Sequence, residues 1–278
     1  MHHVAATSVQ MGGHSLIGIF WPFVVASVIG FVGAVLVGMS GTGGGSLVTP
    51  LLIWILAAPP NMAIGTDIVY SLMVRPLGAL CHVKSEFKLK GVANYLIGGT
   101  IPGVGIGALL EGILKSKFGV NSLDFLLGAV LLVNAVIIYK RKLVSLKSIS
   151  PDFKVEVGRR EKQYLFVLGI VAGLLLTSTS LGSGSIVLLG LFWIFPKIPQ
   201  KQLVGIDLLV SIPMIFLSSI FHLSVGNVNF SYLIAMLVGG IPGVILGSTK
   251  FSGFSPKITR NTIVTVLGVT GLRVLLLA

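Results

Sequence analysis

The chain has 278 residues, of which 54% are hydrophobic and only 10% are charged. Ordinary soluble domains carry about 25% charged residues, so this composition excludes an ordinary soluble domain and indicates one domain whose solvent is the lipid bilayer. The net charge of +12 does not indicate a nucleic-acid partner, because the basic residues lie mostly between apolar segments, as loop charges do in membrane proteins.

Ten apolar segments follow a short N-terminal tail at residues 1–15, which lacks Lys and Arg, so no cleaved signal peptide is expected. A spanning helix needs about 20 residues, and most of the segments reach that length. The second and seventh are short and follow Gly-rich stretches, which predicts half-helices. The segments are residues 16–38, 46–58, 62–82, 92–111, 122–139, 164–181, 185–196, 202–223, 231–249 and 261–278.

The second half of the chain repeats the first at an offset of 140 residues. Matched Asp, His and Pro residues are hard to obtain by chance in an apolar chain, so they predict a duplication. It consists of repeat 1 at residues 16–139 and repeat 2 at residues 164–278, joined by a basic linker at residues 140–163. The matches include Gly65 with Gly205, Asp67 with Asp207, Ser71 with Ser211, His82 with His222, and Pro102 with Pro242.

An odd number of crossings per repeat would make the two copies point in opposite directions. Ten crossings place 16 of the loop Lys and Arg residues on one side of the membrane and only Lys115 and Lys117 on the other, whereas two re-entrant segments would split them 11 to 7. The basic side should be cytoplasmic. The prediction is an all-α integral protein of the cytoplasmic (inner) membrane. It has about ten transmembrane segments in two inverted five-segment repeats, both termini outside and a cytoplasmic linker.

Two Gly- and Ser-rich stretches, residues 40–46 and 178–185, interrupt the helical pattern and precede the short segments. Free N–H groups and the positive dipole end at the start of a helix attract anions, which predicts substrate binding at these turns. The alternative interpretation is that Gly and Ser only let helices pack or turn at a surface. The substrate-binding candidates here are Thr42, Gly43, Gly44, Gly45, Ser46, Ser183, Gly184 and Ser185.

Ionisable residues share one helical face in the third segment, which carries Asp67, Arg75 and His82, and in the eighth, which carries Asp207 and His222. Such groups are costly in hydrocarbon and usually mark pathways or pairs. The Asp and His residues are therefore candidates for proton coupling or gating, and Arg75, which has no counterpart in repeat 2, for an anion anchor. The alternatives are helix caps for the Asp residues, interfacial positions for the His residues and an ion pair for Arg75.

Several motifs carry a family resemblance: the Gly-rich stretch 41–45 followed by Pro50, Gly65-Thr66 at the entry to the third segment, His82, and the duplicated Ile-Pro-Gly at 101–103 and 241–243. In this order they resemble the TauE/SafE family of membrane anion transporters, over residues 16–278. The resemblance implies transport of sulfite, sulfonates or related small organic anions, often as export, and it adds Thr66 to the substrate-binding candidates. Family members commonly have Ser where this chain has Asp67.

The combined expectation is a secondary transporter for a small anion, with proton-coupled export by alternating access. A passive anion channel and a carrier for small carboxylates stay open as alternatives, as does a homo-oligomer. No cofactor and no metal are expected. An enzyme is not expected either, because the Asp and His residues lie at opposite ends of each stripe, too far apart for a catalytic pair.

Overall fold

A computed structural model describes residues 14–40, 47–82, 90–118, 121–140, 157–181, 184, 186–196, 198, 200–249 and 256–277. The described residues form ten α-helices and no strand, which agrees with the predicted all-α class and with the number of predicted segments. The helices are α1 His14–Ser40, α2 Val48–Leu56, α3 Pro60–His82, α4 Lys90–Phe118, α5 Asn121–Lys140, α6 Arg159–Thr179, α7 Val187–Ile194, α8 Gln200–Ser224, α9 Phe230–Thr249 and α10 Pro256–Leu277.

Length and hydropathy together select the candidate membrane spans. Five helices in the described part of the chain are long and apolar enough to cross a membrane, in α1, α4, α6, α8 and α9. α2 and α7 have only nine and eight residues, about 12–14 Å at 1.5 Å per residue, and are short as predicted. α6 begins at Arg159, so the end of the predicted linker is helical.

Glycine in α4 lets that helix approach the backbone of α6 very closely. A Cβ added at any of three glycines would collide with α6 main-chain atoms, as expected for the small residues at four-residue spacing that allow close membrane-helix packing. Because the partner residues also advance by four, the two helices run parallel. The contacts pair Gly99 with Phe166, Gly103 with Ile170 and Gly107 with Leu174.

The same arrangement joins α9 to α1. Three glycines of α9, again four residues apart, face α1 backbone that advances in the same direction, so these helices are parallel too. The contacts pair Gly239 with Ser27, Gly243 with Phe31 and Gly247 with Val35. The two halves of the chain are therefore interleaved, because the most extensive helix packing joins one half to the other.

α3 lies at the centre of the bundle, where it packs against α8 and α9 and contributes side chains to both hydrophobic cores. Large apolar side chains such as Trp21, Phe125 and Val238 are exposed around the outside. Polar side chains such as Asp67, Arg75 and Asp207 are buried in the interior. This inversion of a soluble protein's surface is stable only in lipid, where an apolar exterior has no cost.

Candidate functional site

The carboxylate of Asp67 is the centre of a hydroxyl cluster. Its side chain on α3 is 0% exposed. Thr49 Oγ1 donates a hydrogen bond to Asp67 Oδ2 at 2.6 Å, and Ser180 Oγ donates to the same oxygen at 2.7 Å. Ser71 Oγ lies 3.3 Å from Oδ1. The hydroxyls come from α2, α3 and the end of α6, so one carboxylate joins both halves of the chain.

Ser180 reaches Asp67 because of the way α6 ends. Its φ of 62° is left-handed, and its N–H bonds to Leu176 O, so it forms the C-cap of the helix. A left-handed cap turns the chain out of the helix. Ser tolerates this conformation less well than Gly, and its hydroxyl here bonds a buried carboxylate.

Asp207 on α8 is also 0% exposed, and it accepts a hydrogen bond from the Gly184 N–H at 3.1 Å. Gly184 has a φ of 88°, a conformation that only glycine adopts without strain. The described part of the second Gly-rich turn therefore does present a backbone N–H to a carboxylate, here the protein's own.

Arg75 is buried on α3, two turns after Asp67, with 3% exposure. Its Nε and Nη1 have no hydrogen-bond partner within the part of the chain that the structure describes. Asp207 is the charged group with the strongest electrostatic effect on the guanidinium, followed by Asp67. A guanidinium is charged at any accessible pH and its donors point outward in one plane, so the unpaired Nε and Nη1 donors of Arg75 are suited to a small oxyanion.

Thr66 lies beside this cluster but is used differently. Its Oγ1 accepts a hydrogen bond from the Asn229 N–H at 2.9 Å, just before α9 begins. Gly65 next to it touches the backbone carbonyl of Asn227. The Gly-Thr motif thus holds the connection between α8 and α9 against α3.

The two histidines differ in what the structure describes. His222 is 0% exposed, and its Nε2 lies 3.0 Å from Thr177 O, which can only accept, so this hydrogen bond joins α8 to α6. His82 ends α3, and its side chain lies outside the described residues. Thr42, Gly43, Gly44, Gly45, Ser46, Ser183 and Ser185 also lie outside them, so their roles stay predictions.

A second buried polar group was not predicted from the sequence. Asn227 Nδ2 donates to Glu111 Oε1 at 2.9 Å, and Asn61 Nδ2 donates to Asn227 Oδ1 at 3.2 Å. These bonds join α4, the α8–α9 connection and the start of α3. The available signal was an acidic residue at the last position of the fourth apolar segment. The role of Thr49 was missed as well, although it is a hydroxyl in an otherwise apolar short helix.

The described residues contain no group of three or more His, Cys, Asp or Glu that could hold a metal ion. They do contain membrane-length helices that enclose a cation and two carboxylates. Buried ionisable groups of this kind mark transport pathways, and together with the lipid-facing exterior they define a multi-pass membrane transporter.

Comparison with known proteins gives the family. The family described as Sulfite exporter TauE/SafE matches residues 26–274, and the chain belongs to it. The probable membrane transporter protein YjnA of Bacillus subtilis is 30% identical over 88% of this chain and 96% of its own length. YdhB of the same organism, also a probable membrane transporter, is 26% identical over 91% and 97%.

An archaeal relative, the probable membrane transporter protein MJ0441 of Methanocaldococcus jannaschii, is 28% identical over 90% of this chain and 94% of its own. No solved structure matches the chain significantly. The chain is therefore a membrane transporter of the TauE/SafE type, as the motifs predicted.

Proposed function

We propose that this chain is a secondary transporter that moves a small anion, namely sulfite, a sulfonate or another organosulfur anion, across the cytoplasmic membrane. The anion binds between two inverted repeats, and export is coupled to protons by alternating access. Arg75 anchors the anion, and N–H groups of the two Gly-rich turns complete the site. The description of the family, Sulfite exporter TauE/SafE, supports this substrate class.

The observation that carries the proposal is that two donors of Arg75, Nε and Nη1, lack a partner among the described residues. A charged group within the hydrocarbon layer costs roughly 2.5–3.5 kcal/mol or more, and buried donors are nearly always paired. Arg75 is buried, yet its Nε and Nη1 have no partner among the described residues. An oxyanion bound beside the guanidinium would supply an acceptor for these donors, and hydrogen bonds between ionised groups are the strong ones.

The depth of the cluster supports a site near the midplane. Tyr70, one turn after Asp67, donates from Oη to Gly30 O at 2.6 Å. Gly30 lies halfway along the apolar span Phe20–Met39 of α1. Transporters of this general design place their substrate at the midplane, between repeats and beside broken helices.

The packing directions support inverted repeats. Successive helices of a repeat reverse direction, so α4 would run opposite to α1. α6 is parallel to α4, by the glycine contacts described above, and hence antiparallel to α1, its counterpart at the start of repeat 2. α9 is parallel to α1, and hence antiparallel to α4, its counterpart in repeat 1.

The two carboxylates supply a route for proton coupling. An anion beside Arg75 adds negative charge next to Asp67 and Asp207, which both act on that guanidinium. A proton taken up by either carboxylate would offset the added charge. His82 and His222 assist at the two ends of the pathway in this proposal.

A thermal-shift screen of the purified protein tests the anchor. A ligand at about 100 times its dissociation constant stabilises the folded state by about 2.7 kcal/mol, so sulfite, thiosulfate, sulfoacetate or taurine should raise the melting temperature. Arg75→Ala should abolish this rise, while Arg75→Lys should keep a fraction of it, because it keeps the charge but not the planar fork.

Arg273→Ala is the matched control, since Arg273 is exposed on α10 and donates to Trp54 O. Its ligand response should equal that of the unmodified protein. Unchanged stabilisation of Arg75→Ala would refute the anchor, and a response to simple carboxylates alone would favour a carboxylate carrier. Counterflow of labelled anion in proteoliposomes separates a carrier from a passive channel, because a channel shows no exchange.

A further inference from the structure

A groove opens where α4 and α6 begin, away from the central cluster. It has a volume of about 590 Å³ and is lined by Tyr95 of α4 and by Lys162, Gln163, Tyr164, Phe166 and Val167 of α6. Lys162 Nζ lies 5.3 Å from the centroid of the Tyr95 ring, a cation–π contact. Because α4 and α6 are parallel, their N-terminal ends share one face of the membrane.

The residues around the groove change from apolar to basic along α6. Positions three and four apart share a face of a helix. Arg159 is therefore on the same face of α6 as Gln163 and Phe166, one turn nearer the N-terminus. Arg160 is in the same way on the face of Tyr164 and Val167. Both arginines are exposed. From the hydrocarbon core towards water, the side chains along the groove are therefore Val and Phe first, then Tyr, then Lys and Gln, and finally Arg. A phospholipid presents acyl chain, glycerol and phosphate in that same order.

An aromatic contact marks this level as the membrane–water interface, and the charged residues around it make the groove positive. Tyr164 packs edge-on against Trp193 of α7, with ring centroids 5.7 Å apart, and Tyr and Trp are enriched at that interface. The acidic residue of this turn is Glu161, and its carboxylate lies beside Gly158, just before α6 begins. The local charge of the groove is positive, with Arg159, Arg160 and Lys162 around it.

We propose that this groove binds one anionic phospholipid, with Lys162 and the two arginines contacting the phosphate and the Tyr95–Phe166 wall contacting the glycerol and upper acyl chain. Basic pockets between membrane helices on the cytoplasmic side bind anionic head groups in this way. The linker leads directly into α6, so the groove lies on the linker side of the membrane. A bound lipid would hold the start of α6 against α4 at that face.

Tryptophan quenching tests the proposal in the full-length protein. Trp21→Phe with Trp54→Phe leaves Trp193, beside the groove, as the single remaining tryptophan of three. In nanodiscs, phosphatidylglycerol brominated on its upper acyl chain should quench Trp193 at several-fold lower fractions than brominated phosphatidylcholine. Lys162→Gln should reduce that preference about five-fold, the effect of one basic residue near a lipid surface.

Lys117→Gln is the matched control, because Lys117 is an exposed lysine at the opposite end of α4, and its preference should not change. Equal quenching by the two lipids, or an unchanged preference in Lys162→Gln, overturns the proposal. Displacement of the lipid by inorganic phosphate, beyond the effect of chloride at equal ionic strength, would overturn it in favour of a free-phosphate site. Native mass spectrometry of the unmodified protein, counting retained phosphatidylglycerol against phosphatidylcholine, gives a readout that needs no folded variant.

Discussion

Asp67 shows how a membrane protein can bury a carboxylate among hydroxyl groups. Its oxygens accept short hydrogen bonds from Thr49 and Ser180, and hydrogen bonds to a charged group contribute about 1.5–3 kcal/mol each. The hydroxyl of Ser71 is more distant, at 3.3 Å. The sequence predicted Asp67 and Arg75 as a polar stripe because their spacing is helical. It could not predict Thr49 and Ser180 as partners, since those contacts depend on how a short helix and a left-handed cap are placed in space.

Thr49→Val tests the hydroxyl cluster at the scale of one atom. The substitution keeps the branched shape but removes the 2.6 Å donor to Asp67, so we expect the free energy of unfolding to fall by about 1.5–3 kcal/mol. Thermal unfolding in detergent should shift down by about 2–4 °C per kcal/mol, the range for chains of about 150–250 residues.

Ser71→Ala is the paired control for Thr49→Val. Its hydroxyl oxygen lies 3.3 Å from Asp67 Oδ1. This is longer than the donor–acceptor distance of about 2.5–3.0 Å that O–H···O hydrogen bonds usually have. Its removal should therefore cost less than about 1 kcal/mol. Equal melting temperatures for the two variants would contradict the assignment of Thr49 as a principal donor to the carboxylate.

At the scale of elements, glycine decides how closely helices approach. Glycines at four-residue spacing allow close helix packing, and the contacts of α4 with α6 and of α9 with α1 show it. The partner of each helix was not predictable, because a row of small residues fits any other helix equally well.

Gly103→Ala tests this close approach. The added Cβ would lie 2.8 Å from the Cα of Ile170, against backbone that cannot rotate away. Overpacking of this kind costs about 1–3 kcal/mol, so the melting temperature should fall. Gly105→Ala, two residues along the same helix, would meet nothing within 4 Å, and it should be neutral or stabilising because Ala favours helix by up to about 1 kcal/mol over Gly.

At the scale of the whole molecule, inverted repeats predict that equivalent positions face opposite sides of the membrane. Ser116, exposed near the end of α4, corresponds within one residue to Ser255, which follows α9 in the sequence. With Cys81 replaced by Ala, a membrane-impermeant maleimide should label Ser116→Cys in intact cells and Ser255→Cys only after permeabilisation. Ser148→Cys in the linker should behave like Ser255→Cys.

Labelling of both equivalent positions from the same side would rule out inversion, whatever the linker shows. Labelling of the linker in intact cells would instead show that the orientation in the membrane is the reverse of the predicted one, and it would leave the inversion of the repeats unaffected. These outcomes separate the two parts of the topology prediction, because the first depends on the number of crossings per repeat and the second on the distribution of Lys and Arg.

The sequence by itself determined the solvent, the helical class, the positions of ten segments and the charged residues that must avoid lipid. These follow from composition and from the helical period, which are local properties. Only the tertiary structure decided that Ser180 and Thr49 share Asp67, that Gly184 bonds Asp207, that Glu111 joins Asn227, and that Nε and Nη1 of Arg75 lack a partner among the described residues. Such pairings join residues up to 116 positions apart. Two of them, Ser180 with Asp67 and Glu111 with Asn227, depend on the interleaved packing of the two halves, which no local pattern specifies.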